Sequence, residues 1–187
     1  MKKSLLLACV PALLLAGCAE WSTPRTAVSG QPTWEDAASN RFIPTNQAAA
    51  NALIDPARAR GLEIDPALIM ATLVNINALE ESSPFGRMVA EQISGQFSRR
   101  GHQIVEMKFR DNVYVKQNVG ELVLTREIQQ LAKTHRAQAV IVGTYAESDQ
   151  VVLVNLKVIR AADNIVLASQ DYAVPMDKMV RSLLSRR

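Results

Sequence analysis

The sequence predicts an α/β (α+β) domain on a mixed sheet of about five strands, with a parallel portion and an antiparallel hairpin, covered by about two to three helices. Three observations predict it. Residues 67–74 (ALIMATLV) and 139–145 (AVIVGTY) are near-continuous apolar runs of strand length, the pattern of strands covered on both faces. Helix-period segments lie between them, and the order strand, helix, strand, helix, strand favours parallel pairing through helical crossovers. The last third alternates instead: Val152, Val154, Leu156 and Val158 are apolar while Asn155 and Lys157 interleave, giving one covered face and one wetter face.

The chain opens with Lys2, Lys3 and an apolar run from Leu5 to Ala16. About a dozen residues are too few to cross the roughly 30 Å hydrocarbon core as a helix. A charged start, a short apolar middle and small residues at the end make a secretory signal. Leu15-Ala16-Gly17-Cys18 resembles the bacterial lipobox. The resemblance implies that residues 1–17 are a lipoprotein signal peptide cut between Gly17 and Cys18, leaving Cys18 carrying diacylglycerol and usually a third acyl chain. Each buried methylene is worth about 0.8 kcal/mol, so more than one chain makes a lasting anchor. Ala19, where an aspartate would imply inner-membrane retention, implies delivery to the outer membrane.

Residues 18–45 read as a lipidated tether: Ser, Thr, Pro, Gly and Asn are frequent, and Pro24, Gly30, Pro32 and Pro44 punctuate the stretch. Trp21 is a candidate for the lipid headgroups, and Trp34 and Phe42 for docking on the domain. The folded part then spans residues 46–175. Asn46 to Arg60 is Ala-rich and helical in preference, with Pro56 expected to kink or end it. After the first apolar run, Asn75 to Glu81 makes a polar exit. Ser83 is a natural N-cap and Pro84 fits the first helical position. Phe85, Met88, Val89, Ile93 and Phe97 form the apolar stripe of that helix, which Arg99, Arg100 and Gly101 close.

Gln103 to Phe109 alternates through Val105, Met107 and Phe109 as a strand. Asn112 to Lys116 can continue it, and Asn118-Val119-Gly120 is turn-like. Thr125 caps a second helix to about Arg136, with Ile128, Leu131 and Ala132 on its buried side. Glu147 to Gln150 turns the chain back, Asp163-Asn164 is a second hairpin turn, and Ile165 to Val174 is the return strand. Residues 176–187 form a basic amphipathic helix with Met176, Met179, Val180, Leu183 and Leu184 on one face and Arg186 and Arg187 at its end. Such a helix either packs on its own domain or meets a partner subunit or membrane.

Charge and cysteine content narrow the function. The chain has 21 Lys+Arg against 18 Asp+Glu, and removing Lys2 and Lys3 leaves 19 against 18, close to neutral. The isoelectric point near 9.0 therefore partly describes the signal and does not indicate a nucleic-acid partner. Of the two cysteines, the lipobox resemblance implies that Cys9 leaves with the signal and that Cys18 would be acylated, so no thiol would remain for a disulfide, metal site or nucleophile.

The histidines are His102 and His135, without a His-x-x-x-His or Cys-pair motif, so no metal is expected. His135 reads as a favourable partner of a helix C-terminus. Ser82 and Ser83 lack a Gly-x-Ser-x-Gly elbow, and capping explains Ser83. Glu80 and Glu81 are sequence neighbours that point apart and suit a helix start. Gly86, Gly95 and Gly101 are too scattered to cradle a phosphate. The expectation is a protein that is not an enzyme, with no catalytic residue and no cofactor beyond the lipid on Cys18.

Separated blocks carry a family resemblance: Asn75-x-x-x-Leu79-x-x-Ser82-Ser83-Pro84-x-Gly86-Arg87 with Ala90-Glu91-Gln92, Glu121-Leu122-x-Leu124-Thr125-Arg126, Ala139 to Tyr145, and the Val151 to Val174 hairpin ending in Val174-Pro175. Together they resemble the FlgO-type domain over roughly residues 47–175. The resemblance implies an outer-membrane lipoprotein linked to the flagellum and motility, with a fold distantly like the TolB N-terminal domain and CsgG. The partners implied are the membrane, through the acyl chains, and envelope or flagellar proteins, a second copy of the chain among them. The domain is expected to face the periplasm. Two alternatives stand beside this: a CsgG-like secretion or pore-associated lipoprotein, which needs alternating strands of about nine to eleven residues, and a periplasmic ligand-binding domain.

Overall fold

The computed structural model describes residues 31–79, 82–106, 130 and 132–185. Along the chain run α1 (Trp34–Ser39), α2 (Phe42–Ala59), β1 (Leu68–Met70), β2 (Val74–Asn75), α3 (Pro84–Arg99), β3 (Ile104–Glu106), β4 (Ala139–Glu147), β5 (Val151–Arg160), β6 (Val166–Pro175) and α4 (Lys178–Leu184). Gln130 and residues 132–135 are helical as well. The expectations for Met107 to Phe109, Asn112 to Lys116, Thr125, Ile128 and Leu131 lie outside the described residues.

The sheet is mixed, as expected. Its order is β3-β1-β4-β5-β6, with β2 also beside β4. β1 pairs in parallel with β3 and β4, and β4, β5 and β6 follow as an antiparallel meander. Apolar side chains cover β1 on both faces. Leu68 and Met70 join the main core with α2 and α3, while Ile69 joins a second cluster with Ala132, Ala137 and Val140. Alternation along β5 places Val152, Val154, Leu156 and Val158 in the main core, and Leu153 stands 55% exposed on the opposite face. β6 buries two successive residues, Leu167 and Ala168, because the β5–β6 register shifts there.

The first apolar run does not make one strand. It breaks into β1 and β2, both parallel to β4, with Leu73 between them. Leu73 is fully buried and its carbonyl accepts from the Ser82 hydroxyl (2.9 Å). Two glycines admit this residue. A Cβ on Gly143 would lie 2.7 Å from Leu73 Cγ and 2.8 Å from Leu156 Cδ2. A Cβ on Gly86, in the first turn of α3, would run into the Leu73 carbonyl oxygen. A six-stranded sheet results where about five strands were expected from the apolar runs.

α3 starts as the sequence implies: Ser83 accepts from the Gly86 amide, and Pro84 is the first helical residue. Phe85, Val89, Ile93 and Phe97 are fully buried. Met88, expected in that stripe, is 41% exposed. It stands about 100° around the helix from Val89, and the positions flanking the stripe that are buried are the small Gly86, Ala90 and Ser94. Gly101, with φ of 90°, ends the helix in a conformation that favours glycine.

α2 begins at Phe42, inside the stretch read as tether, and Phe42 is 2% exposed against Phe85 with ring centroids 5.5 Å apart. Pro44 fits because the first helical turn has no intrahelical use for its N–H. Pro56 does not end the helix, which continues to Ala59. Near the end of a helix proline removes just one of the few remaining ladder bonds. α4 is capped by Asp177, whose carboxylate accepts from the Val180 amide (2.9 Å). Val180 is fully buried, and Met176, Met179, Leu183 and Leu184 pack on the main core, so this apolar face lies on its own domain. Arg186 and Arg187 lie outside the described residues.

Close approach at Gly86 sets two effects against each other. Gly86→Ala should destabilise by about 1–3 kcal/mol through overpacking against backbone, although helix propensity alone favours alanine by about 1 kcal/mol. Gly95→Ala, whose Cβ would meet nothing nearer than Arg99 Nη1 at 3.8 Å, should be stabilising. Urea denaturation of the pair checks the opposite signs.

Candidate interaction surface

The meander turns one face away from α2, α3 and α4. Thr144, Asn155 and Asp171 are neighbours across β4, β5 and β6 on that face, as are Val142, Lys157 and Ser169. Asn155 Nδ2 donates to Asp171 Oδ1 (2.6 Å) and to Ser169 Oγ (3.5 Å). At one end Leu153 stands between Ala146 and Ala173, and at the other Val166 is 41% exposed. A polar middle with short apolar ends can bind another protein surface by hydrogen bonds and modest burial. β6 is the long edge of the sheet, and Arg60 Nη1 donates to its Leu167 carbonyl (2.9 Å), occupying one edge acceptor. β5 and β6, ten residues each, bury their alternate positions under the helices. A groove beside α3 and β3, about 490 Å³ and lined by Glu91, Ser94, Gly95, Ser98 and Ile104, presents short hydroxyls and one carboxylate.

Several groups that could carry chemistry are engaged in holding elements together. The Ser83 hydroxyl caps α3 and accepts from Tyr145 (2.9 Å), and Ser82 bonds Leu73. His135 is exposed in the last helical residue before Arg136, whose φ is 51°. Gly17, Cys18, Glu80 and Glu81 lie outside the described residues. No group of three His, Cys, Asp or Glu able to hold a metal occurs among the described residues.

Sequence reading passed over the polar seam between α2 and α3. Asn46, fully buried, donates to Gln92 Oε1 (2.6 Å) and accepts from the Tyr172 hydroxyl (2.6 Å). Burial pushes the Tyr172 phenol above its ordinary value of 10.0, so it remains a neutral donor. Farther along, Asn51 accepts from Gln96 (2.9 Å) and Arg100 (3.0 Å), and Arg100 pairs with Asp55 (2.5 Å). Arg58 donates to the Arg100 carbonyl (2.7 Å) and to His102 Nε2 (3.2 Å). His102 is 3% exposed against Phe97. Burial, then the Arg58 charge, lower its pKa from the ordinary 6.5, with the Glu63 backbone opposing and Arg100 adding to the fall. With Nε2 accepting from Arg58, the neutral ring holds its proton on Nδ1. The signal for the seam was present as Asn46, Asn51 and Asp55 on one Ala-rich helix, but one helix does not reveal what its polar side meets.

Asn46→Leu should cost about 1–3 kcal/mol by leaving the Tyr172 and Gln92 groups buried without a partner. Asn46→Leu with Tyr172→Phe should recover part of that loss, as a denaturation double-mutant cycle would measure. His102 binds its proton more weakly folded than unfolded, so its contribution is complete above the unfolded value of 6.5 and is lost as pH falls below it. Melting temperature should therefore drop between pH 7.5 and pH 5, and His102→Gln should flatten that slope.

The same architecture occurs in solved structures. The LpoB C-terminal domain from Salmonella enterica superposes with a TM-score of 0.51 and 13% identity, covering 71% of this chain and 97% of that one. The LpoB C-terminal domain from Escherichia coli gives 0.50 and 10%, with the same coverage of 71% and 97%. The NMR structure of Escherichia coli LpoB gives 0.50 and 13%, covering 92% of this chain and 83% of that one. At such identities the likeness concerns the fold. No curated protein matches the chain by sequence. The FlgO protein family matches residues 47–179, from the second turn of α2 into α4 and so across the whole sheet, and the chain belongs to that family.

Proposed function

We propose that the protein is a non-catalytic outer-membrane lipoprotein that works through protein contacts in flagellar assembly or stability, and thereby in motility. Membership of the FlgO family across residues 47–179 carries this reading. The Leu15-Ala16-Gly17-Cys18 motif supports a lipid on Cys18, and Ala19 supports the outer membrane as its destination. No described helix is long and apolar enough to cross a membrane; the lipobox-like motif is what assigns attachment to acyl chains in this reading.

The mechanism is positional. Acyl chains confine the domain to one surface, where its effective concentration for other anchored or assembled proteins is raised without any new contact. The meander face with Leu153, Asn155 and Asp171 is the surface offered to them. Its hydrogen-bonding middle and small apolar ends suit a protein partner of ordinary polarity.

Cys18→Ser should leave the domain folded and move it from the membrane fraction to the soluble periplasm. Persistence in the membrane fraction, or an unmodified thiol in the native N-terminal peptide by mass spectrometry, would overturn the anchor. Envelope pull-downs from the native strain, with swimming measured in a deletion strain, test the flagellar assignment.

A further inference from the structure

α1 is an unusual element to find ordered. Six residues are far fewer than the roughly 12–15 an isolated helix needs to be even marginal in water, and α1 buries none of them against the domain. Its ends are nevertheless secured. Thr33 and Asp36 form a reciprocal capping box, with the Thr33 amide on Asp36 Oδ2 (2.9 Å) and the Asp36 amide on Thr33 Oγ1 (3.2 Å). At the other end the Asn40 side chain donates through Nδ2 to the Asp177 carboxylate that caps α4 and accepts at Oδ1 from the Phe42 amide (2.6 Å). What this fixed turn displays is Trp34, 79% exposed, the most exposed large apolar side chain among the described residues. Ile43, in the first turn of α2, is 49% exposed.

The position of α1 in the chain says what surface it meets. Trp34 is sixteen positions beyond Cys18, and a chain of that length reaches at most about 58 Å when fully extended. α1 is thus the first described element after the anchor, on a tether that lets it reach the bilayer surface. Tryptophan has an apolar ring and an N–H donor, the combination favoured at the level of lipid headgroups. Charge does not carry the attraction. Glu35 and Asp36 on α1 are balanced by Arg41 and by Lys178, whose charge helps hold the Asp36 carboxyl below its ordinary value after the larger effect of the Thr33 backbone bond.

We infer that α1 is a membrane-contact element: Trp34 seats in the headgroup region of the bilayer that holds the Cys18 lipid, with Ile43 behind it, and sets the domain against the membrane with a defined orientation. This inference rests on the lipid-anchor reading. It also gives the capped turn a use, since a flexible Trp would insert without orienting anything.

The test uses the full-length lipidated protein with Trp21→Phe, which leaves Trp34 the only tryptophan of the chain's two. Reconstituted in phosphatidylethanolamine and phosphatidylglycerol vesicles, Trp34 should emit at shorter wavelength than in the Cys18→Ser, Trp21→Phe chain alone. Bromine-labelled lipids should quench it, most strongly with the label near the headgroup, and added salt should not reverse the effect. Trp34→Ser should leave the melting temperature unchanged and increase protease access to the anchored domain. Flotation with the vesicles but no lipid quenching overturns the inference and leaves the anchor intact. Failure to float removes the anchor and the inference with it. Shielding from iodide that persists in detergent, without lipid quenching, assigns Trp34 to a protein contact and also overturns it.

Discussion

Leu73 is the residue on which the rest of the architecture turns. It interrupts the first parallel strand, enters the core above Gly143, and presents its carbonyl to the Ser82 hydroxyl at the start of α3. Gly86 and Gly143 are the two places where the missing Cβ is needed, because backbone and side-chain atoms already fill that space. Interiors are packed to crystal-like density, so a close approach of this kind admits few substitutions and transmits its geometry to whatever is attached. Here it sets the depth of α3, and through Phe85 the positions of Phe42 and Tyr145. The N-terminus of α2 is therefore placed by the same contact that breaks β1 from β2.

From that point the helical layer is keyed by polar groups as well as by apolar burial. Asn46 joins α2, α3 and β6, while Arg58 and Arg100 join α2 to the end of α3 and to His102. Apart from His102 Nδ1, which is buried without a hydrogen-bond partner, these groups are paired; such pairs add little net energy but penalise any other helix register heavily, since each misplaced donor or acceptor would be left bare. A layer of Ala-rich and small-residue helix faces has little shape specificity of its own. The polar seam supplies it.

Ser82, Ser83, His102, Tyr145 and Tyr172 are thus occupied in holding elements together, and the described outward surfaces include a polar-centred sheet face, an edge strand with one carbonyl occupied, and a capped turn carrying Trp34. Those surfaces differ in where they lie along the chain. The meander comes late in the chain and α1 is the first described element, yet the two come together where Asn40 donates to Asp177, two residues beyond the end of β6.

The sequence by itself determined the mixed sheet, the capped start of α3, the two-sided burial of β1 and β4, the alternation of β5 and the amphipathic last helix, because each of these is a local pattern of period or capping read along one segment. The lipid site is an expectation read from a short motif next to a signal, and it lies outside the described residues. What only the tertiary structure decided depends on two distant segments meeting. Leu73 breaks its strand because Gly86 and Gly143 converge on it from different elements; Met88 leaves the apolar stripe because small residues beside Val89 face the sheet instead; α2 reaches back to Phe42 because Phe85 receives it. Asn46 and Arg58 looked like ordinary polar positions until β6 and the end of α3 supplied their partners. A pattern along one strand or helix reports which side is buried, but the identity of what buries it is a property of the assembled layers.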